Sequence, residues 1–414
     1  MNSAFFALGY VAAALVALLS VWLLLRHWRE RGYRRRVWVA PHYRAWIEAT
    51  PPPPASRRFQ VALIGDTGAV ATTGMDPVLS LLQDWLQTAG ENSAVVLLGD
   101  NVYPTGIPPQ HSPRRPAAEQ RLLAQLRIFE LYPGQVIYLS GNHDWNKGRP
   151  NGLDYVLRQQ ALVQKHLPAA HFLPADGYPG PVTRQLAPGV LLVVLNTQWW
   201  VQQGARPLPP EGTSPFQELL QLLRQNQHQQ VIVAGHHPLY SNAIHGGKFT
   251  ARQHLFPLTT VHKRAYLPLP ILGSMLPVYR KVVGAAEDMA HPRYRHLRRR
   301  LLRVLHQFPN IIYAAGHDHN LQYFCQQGGH YLVSGAGSKT AFVQQGGHAA
   351  FVHEHKGFFV LDFYDNQEVW LRALEPGTSP GAVQEVFRWP LTRSKLPLAP
   401  APAGFAEKSR FRGA

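Results

Sequence analysis

Five short blocks of this 414-residue chain close an apolar run with Gly and then present metal-binding side chains. They are Gly65-Asp66-Thr67-Gly68, Gly99-Asp100-Asn101-Val102-Tyr103, Gly141-Asn142-His143-Asp144, Gly235-His236-His237 and Gly316-His317-Asp318-His319. Carboxylate, phenolate, amide and imidazole donors together can hold two ions of different hardness. Two adjacent ions can clamp the attacking and leaving oxygens of a phosphate ester. Asp66 offers a hard oxygen, and Asp100 has two oxygens with which to bridge a pair of ions. Tyr103 follows three residues later, close enough to reach the same ion, and a phenolate favours a ferric one. Asn142 is a neutral oxygen donor, while His236, His317 and His319 add nitrogens. His317 and His319, two apart, can point the same way along an extended loop. Singly, each block has an ordinary reading, since Gly-Asp is most often just a turn. Five in order, each behind an apolar run, point to a metal site.

Such side chains need a frame that brings distant stretches together. Apolar runs at 59–64, 94–98, 135–139, 190–195, 230–234 and 311–315 read as buried strands. Between them, 76–88, 117–132, 215–227 and 292–308 have helical spacing of apolar residues. The alternation predicts an α/β fold, and open α/β sheets bind ligands at the carboxyl ends of their strands. Beyond Asn320, runs at 321–324, 331–334, 357–363, 368–374 and 383–389 read as short strands, suggesting a second sheet built of antiparallel pairs.

The blocks resemble those of the calcineurin-like metallophosphoesterases, and among them the purple acid phosphatases, especially the small mammalian-type tartrate-resistant ones. Most members of the superfamily carry Asp-x-His in the first block, where Gly68 stands here. Tyr103 in the second block instead follows the purple acid phosphatase pattern, and the runs from Gly316 to Tyr323 and from Ser334 to Gly337 strengthen the likeness. The resemblance covers roughly 59–389 in blocks. It implies a four-layer α/β/β/α sandwich of two mixed sheets flanked by helices. It implies that Asp66, Asp100, Tyr103 and His319 hold Fe(III), and that Asp100, Asn142, His236 and His317 hold Fe(II), Zn(II) or Mn(II). His143 and His245 correspond to the substrate-contacting catalytic histidines, and His237 receives no metal role. The implied activity is hydrolysis of phosphate esters by a binuclear centre. A phosphodiesterase acting on phospholipid or nucleotide, and a catalytically silent binding module, stand as alternatives.

The remainder of the chain places this chemistry. Residues 4–25 carry no charge and are long enough to cross the hydrocarbon core of a bilayer. A retained single-pass anchor is the preferred reading over a cleaved signal, because no basic segment precedes the run. Arg26, Arg29, Arg31, Arg34, Arg35 and Arg36 follow it, which by the positive-inside rule puts the domain in the cytoplasm. Residues 26–58 read as a basic juxtamembrane segment and Pro-rich linker, with the metallophosphoesterase domain at 59–391 and a disordered tail at 392–414. An insertion at about 246–291, rich in Leu and Pro and flanked by Lys263, Arg264, Arg280 and Lys281, reads as a lid packed on the core or as a membrane-contacting arm. The formal net charge of +17 favours anionic partners without selecting one, and the resemblance implies a phosphorylated small molecule or lipid as substrate. The Arg-rich run 293–300 reads as the solvated face of a helix without the aromatic platforms that nucleic acid would need. Cys325 is the only cysteine, so neither an internal disulfide nor a Cys-based metal site can form.

Overall fold

The structure, a computed structural model, describes residues 2–392 except 71–75, 261, 263, 270, 378, 380 and 381. The expected tail lies outside the described residues save Thr392, and so does Lys263. The strands are β1 (Trp38–Val39), β2 (Arg57–Ile64), β3 (Ser93–Leu97), β4 (Gln135–Tyr138), β5 (His171–Phe172), β6 (Val182–Ala187), β7 (Val190–Val194), β8 (Gln230–Ala234), β9 (Ile312–Ala315), β10 (Leu321–Gln326), β11 (Gly329–Ser334), β12 (Ala349–His353), β13 (Phe358–Tyr364), β14 (Val369–Pro376) and β15 (Val383–Thr392). The helices are α1 (Asn2–Tyr33), α2 (Pro77–Ala89), α3 (Arg115–Arg127), α4 (Gly152–His166), α5 (Gln198–Val201), α6 (Pro215–Gln225), α7 (Ala251–Leu255), α8 (Leu272–Val282) and α9 (Pro292–Leu305).

Two sheets face each other. One runs β15-β14-β13-β2-β3-β4-β5, the other β1-β12-β10-β11-β9-β8-β7-β6. Each has a parallel half, β2 to β5 in the first and β7-β8-β9-β11 in the second, and an antiparallel remainder. The inner faces meet in one apolar layer that includes Val61, Leu63, Val96, Ile137, Leu192, Ile232, Ile312 and Leu361. The outer face of the first sheet is covered by α2, α3 and α4, that of the second by α6 and α9. This is the four-layer α/β/β/α arrangement with two mixed sheets. In α9, Tyr294, Leu297, Leu301, Val304 and Leu305 face inward. Several of its arginines are engaged rather than free, Arg298 donating to the Leu239 carbonyl and Arg300 lying over the Phe216 ring.

Two expectations need correction. The strands after Asn320 do pair antiparallel, but they form no sheet of their own. β10 and β12 extend one sheet, while β13 slots beside β2 in the other, with Leu361 opposite Val61. Phe359, Leu361 and Phe363 fill the inter-sheet layer and Phe358 and Val360 the outer one, a two-sided burial that only a central position satisfies. Nor does the fold start at Phe59. Trp38 and Val39 pair with Val352 and Phe351. Tyr43 packs edge-on against Tyr323 and Trp389, and Trp46 against Phe387, closing one end of the core.

Helix α1 continues beyond the uncharged run to Tyr33. Among the described residues it is the one helix long and apolar enough to cross a membrane, and its apolar stretch is almost wholly exposed.

Candidate metal centre

Blocks one to three follow β2, β3 and β4 of the first sheet, and blocks four and five follow β8 and β9 of the second. All five therefore meet where the carboxyl ends of the parallel strands face each other. Asp66, Asp100 and His317 adopt left-handed backbone conformations, with φ of 61°, 56° and 71°. Each sits directly after a Gly, so the chain reverses sharply and turns the side chain into the crevice. Gly99 is itself left-handed at φ 88°, and a Cβ there would lie 2.6 Å from the Gly141 nitrogen and 2.8 Å from His236 Nδ1. Gly68 stands where a ligand His was expected in relatives. A Cβ at that position would lie 2.4 Å from the Val102 nitrogen, so the loop that carries Tyr103 occupies the space.

The seven predicted metal-binding side chains converge in two clusters. In one, Tyr103 Oη lies 2.8 Å from Asp66 Oδ1, 3.0 Å from Asp100 Oδ2 and 2.9 Å from His319 Nε2. In the other, Asn142 Oδ1 lies 2.9 Å from His236 Nε2 and 3.1 Å from His317 Nδ1, and those two nitrogens are 3.2 Å apart. Asp100 joins them, its Oδ2 facing the first cluster and its Oδ1 lying 3.5 Å from His236 Nε2. Donors bonded at about 2.1 Å and at right angles around one ion are roughly 3.0 Å apart. The clusters match that spacing, so the residues present fit a pair of ions sharing one carboxylate. Asp66, Asp100 and His236 alone bring three donor atoms within 4.8 Å of one another.

The outer hydrogen bonds leave the inward atoms free for a metal. His236 Nδ1 meets the Leu98 carbonyl at 2.9 Å, which leaves Nε2 as the acceptor. His317 does the reverse, its Nε2 meeting the Glu287 carbonyl at 2.8 Å and Nδ1 pointing inward. Asn142 donates through Nδ2 to Glu287 Oε1 at 3.0 Å, so its oxygen is the inward atom. Buried Asp144 accepts from the backbone of Gly141, Asn101 and Val102, fastening the second and third blocks together. Burial, with Asp100 adding repulsion, pushes its pKa up to about 7. Burial and the charges of Asp100 and Asp66 hold the Tyr103 phenol well above its ordinary pKa. Its ionisation therefore requires positive charge at the same spot.

His143 and His245 lie at the rim. The backbone N–H of His143 donates to Asp100 Oδ1 at 2.9 Å, and its ring stands 4.3 Å from that of Tyr103. The His245 ring lies 4.1 Å from His317, with Nδ1 3.0 Å from Asp288 Oδ1. Burial disfavours its cation, but Asp288, Asp318 and Glu287 outweigh that and raise its pKa. His237 points elsewhere, its Nδ1 on Thr197 Oγ1 at 2.8 Å. Sequence reasoning did not single out Glu287, Asp288 or Lys339. Lys339 Nζ sits 3.2 Å from the centre of the Tyr103 ring, and Arg280 holds Asp288 through Nε at 2.8 Å. None of Glu287, Asp288 and Lys339 carries a local motif.

Residues 59–264 match the family model of the calcineurin-like phosphoesterases. The chain thus carries a calcineurin-like phosphoesterase domain. No curated protein matches the sequence significantly. Among solved structures, it is similar to a purple acid phosphatase, PPD1, from seeds of yellow lupin (Lupinus luteus), at 18% identity and a TM-score of 0.48. That alignment covers 82% of this chain and 55% of the lupin one, so the chain spans about half the length of that relative. It is also similar to GAP50, the anchor in the inner membrane complex of Plasmodium. There the identity is 14% and the TM-score 0.42, over 82% of this chain and 90% of the other.

Proposed function

We propose that the chain is a membrane-anchored, binuclear-metal phosphoesterase with a purple acid phosphatase-like site. The carrying observation is Asp100, whose two oxygens face two separate donor clusters. On this reading Asp66, Asp100, Tyr103 and His319 hold Fe(III), and Asp100, Asn142, His236 and His317 hold a divalent ion. When bound, such a pair supplies Lewis acidity and an activated water for in-line attack on phosphorus. The chain's own part is to orient and to move protons. His143 and His245 flank the crevice from opposite sheets, so both can contact a phosphate seated over the clusters. His245, held by Asp288 and biased toward its charged form, neutralises phosphate charge or protonates the departing alkoxide. Lys339 adds positive charge beside Tyr103. Helix α1 supports the anchoring, and the run of arginines after its uncharged stretch supports a cytoplasmic domain.

The test is metal analysis of purified protein followed by turnover of a panel of phosphomonoesters and phosphodiesters, lipid-linked and soluble. Two equivalents of metal with monoester turnover support the proposal. Preference for diesters would make it a phosphodiesterase, and metal uptake without any turnover would make it a binding module.

A further inference from the structure

Helix α8 is amphipathic in the opposite sense to a core helix. Its Gly273 and Pro277 are buried, and Ser274 meets His254 on α7. Leu272, Met275, Leu276, Tyr279 and Val283, spaced by three and four residues, are 41–64% exposed. Tyr266 and Leu267, on the loop before it, are exposed as well. A contiguous apolar stripe of this kind marks a contact surface.

Its neighbour indicates what covers it. α8 packs on α7, and α7 packs on α1. The second contact falls on the uncharged part of α1, where Leu19 and Leu23 close over Ala251, Leu255 and Phe256. Glu30, 2% exposed, fixes the junction. It accepts the Ala251 N–H at 2.9 Å and the Arg26 Nε at 2.7 Å, while Arg26 also reaches the Phe249 carbonyl. Along a helix rising about 1.5 Å per residue, Leu23 lies roughly 3 Å and Leu19 roughly 9 Å inside the end of the uncharged run at Leu25. Given the anchoring reading above, on which this inference rests, α7 is held at the edge of the hydrocarbon. The charge beside it suits lipid phosphate. His27, Arg31 and Arg252, with Phe256, Tyr266 and an Arg34 already paired with Glu354, line a cavity of about 390 Å³ between α1 and this segment. Nε of Arg252 is buried there without a hydrogen-bond partner. Arg264, on the loop before α8, and Lys281, within it, are exposed.

We propose that α7 and α8 form a monotopic arm that lies in the same leaflet as the end of α1. The α8 stripe sits at the acyl boundary, and the basic cavity faces the phosphates of anionic phospholipid. The arm is wired to the candidate site through Arg280 of α8, which pairs with the Asp288 that holds His245.

The test uses the full chain in lipid nanodiscs, with Cys325→Ser as background and single nitroxide labels at Met275→Cys, Leu15→Cys and Glu91→Cys. Power-saturation EPR compares collisions with oxygen against those with a nickel chelate. In discs containing phosphatidylglycerol, the labels at 275 and 15 are expected to favour oxygen several-fold over the label at 91. A label at 275 as water-accessible as that at 91, with 15 still in lipid, overturns the arm and leaves the anchor standing. Water access at both 275 and 15 overturns the arm and the anchor together. Discs of phosphatidylcholine alone are expected to lift the 275 label toward water, and an unchanged depth there overturns the role given to anionic lipid.

Discussion

Asp100 is the residue on which both clusters depend, because each of its oxygens has a different set of neighbours. Asp100→Ala is expected to abolish uptake of both ions and to cut turnover by at least about 10³-fold, as expected when several kcal/mol of charge stabilisation is lost. Metal analysis beside activity is the check, and two retained equivalents would contradict the bridge. Tyr103→Phe separates the clusters. It keeps every carboxylate but removes the one donor able to give a phenolate–ferric absorption, so the visible band of metal-replete protein is expected to vanish. A wild-type protein that is metal-replete yet colourless would refute the ferric assignment. At this scale the sequence was readable because five blocks each put a donor one to four residues after a Gly. Glu287 and Asp288 escaped notice because their role comes from a loop folding back over Asn142 and His245, a proximity no spacing records.

The turns are the elements that convert strands into a site. Gly99→Ala would force a side chain against Gly141 and His236 at a left-handed position, and is expected to destabilise by roughly 2–4 kcal/mol. Thermal unfolding measures that cost, and metal titration would show weaker binding because His236 is displaced. The link from α8 to the site makes a separate claim. Arg280 and Asp288 touch neither cluster, so Asp288→Asn is expected to lower kcat with metal content and KM little changed. Loss of metal instead would show that Asp288 only holds the loop together. Elements were legible where one physical signal dominated. β7 and β9 are uninterrupted apolar runs, and β2, β3 and β8 contain them at 61–64, 94–97 and 231–234, because both their faces are covered there. α4 was missed because buried Gln159 and Gln160 interrupt its apolar stripe. The allotment of β10 to β15 between the sheets was illegible because it is set by partners such as β2, which lie at the other end of the chain.

For the molecule as a whole, the segment after α1 decides whether the domain hangs from that helix or is clamped to it. Its Pro-rich sequence suggests a tether, but the contacts are those of a clamp. Arg34 pairs with Glu354, its Nε 2.9 Å from Oε2, and the Arg35 carbonyl meets His353 Nε2 at 3.1 Å. Trp38 and Val39 add an edge strand, and Tyr43 and Trp46 plug the core at Tyr323, Trp389 and Phe387. A clamp of this kind fixes the orientation of the metal crevice relative to α1, which a flexible tether would leave free. The plug also implies that the domain's stability includes residues well before Phe59. Trp46→Ala and Tyr43→Ala, both half-buried, are expected to cost about 1–3 kcal/mol each, below the range for fully buried aromatics. Both side chains approach Phe387 or its strand neighbour Trp389, so their effects should not simply add. Thermal unfolding of the detergent-solubilised full chain measures each, alone and together. Unfolding temperatures equal to wild type in all three variants would mean that 34–56 is a tether after all, and the fixed orientation would fall with it.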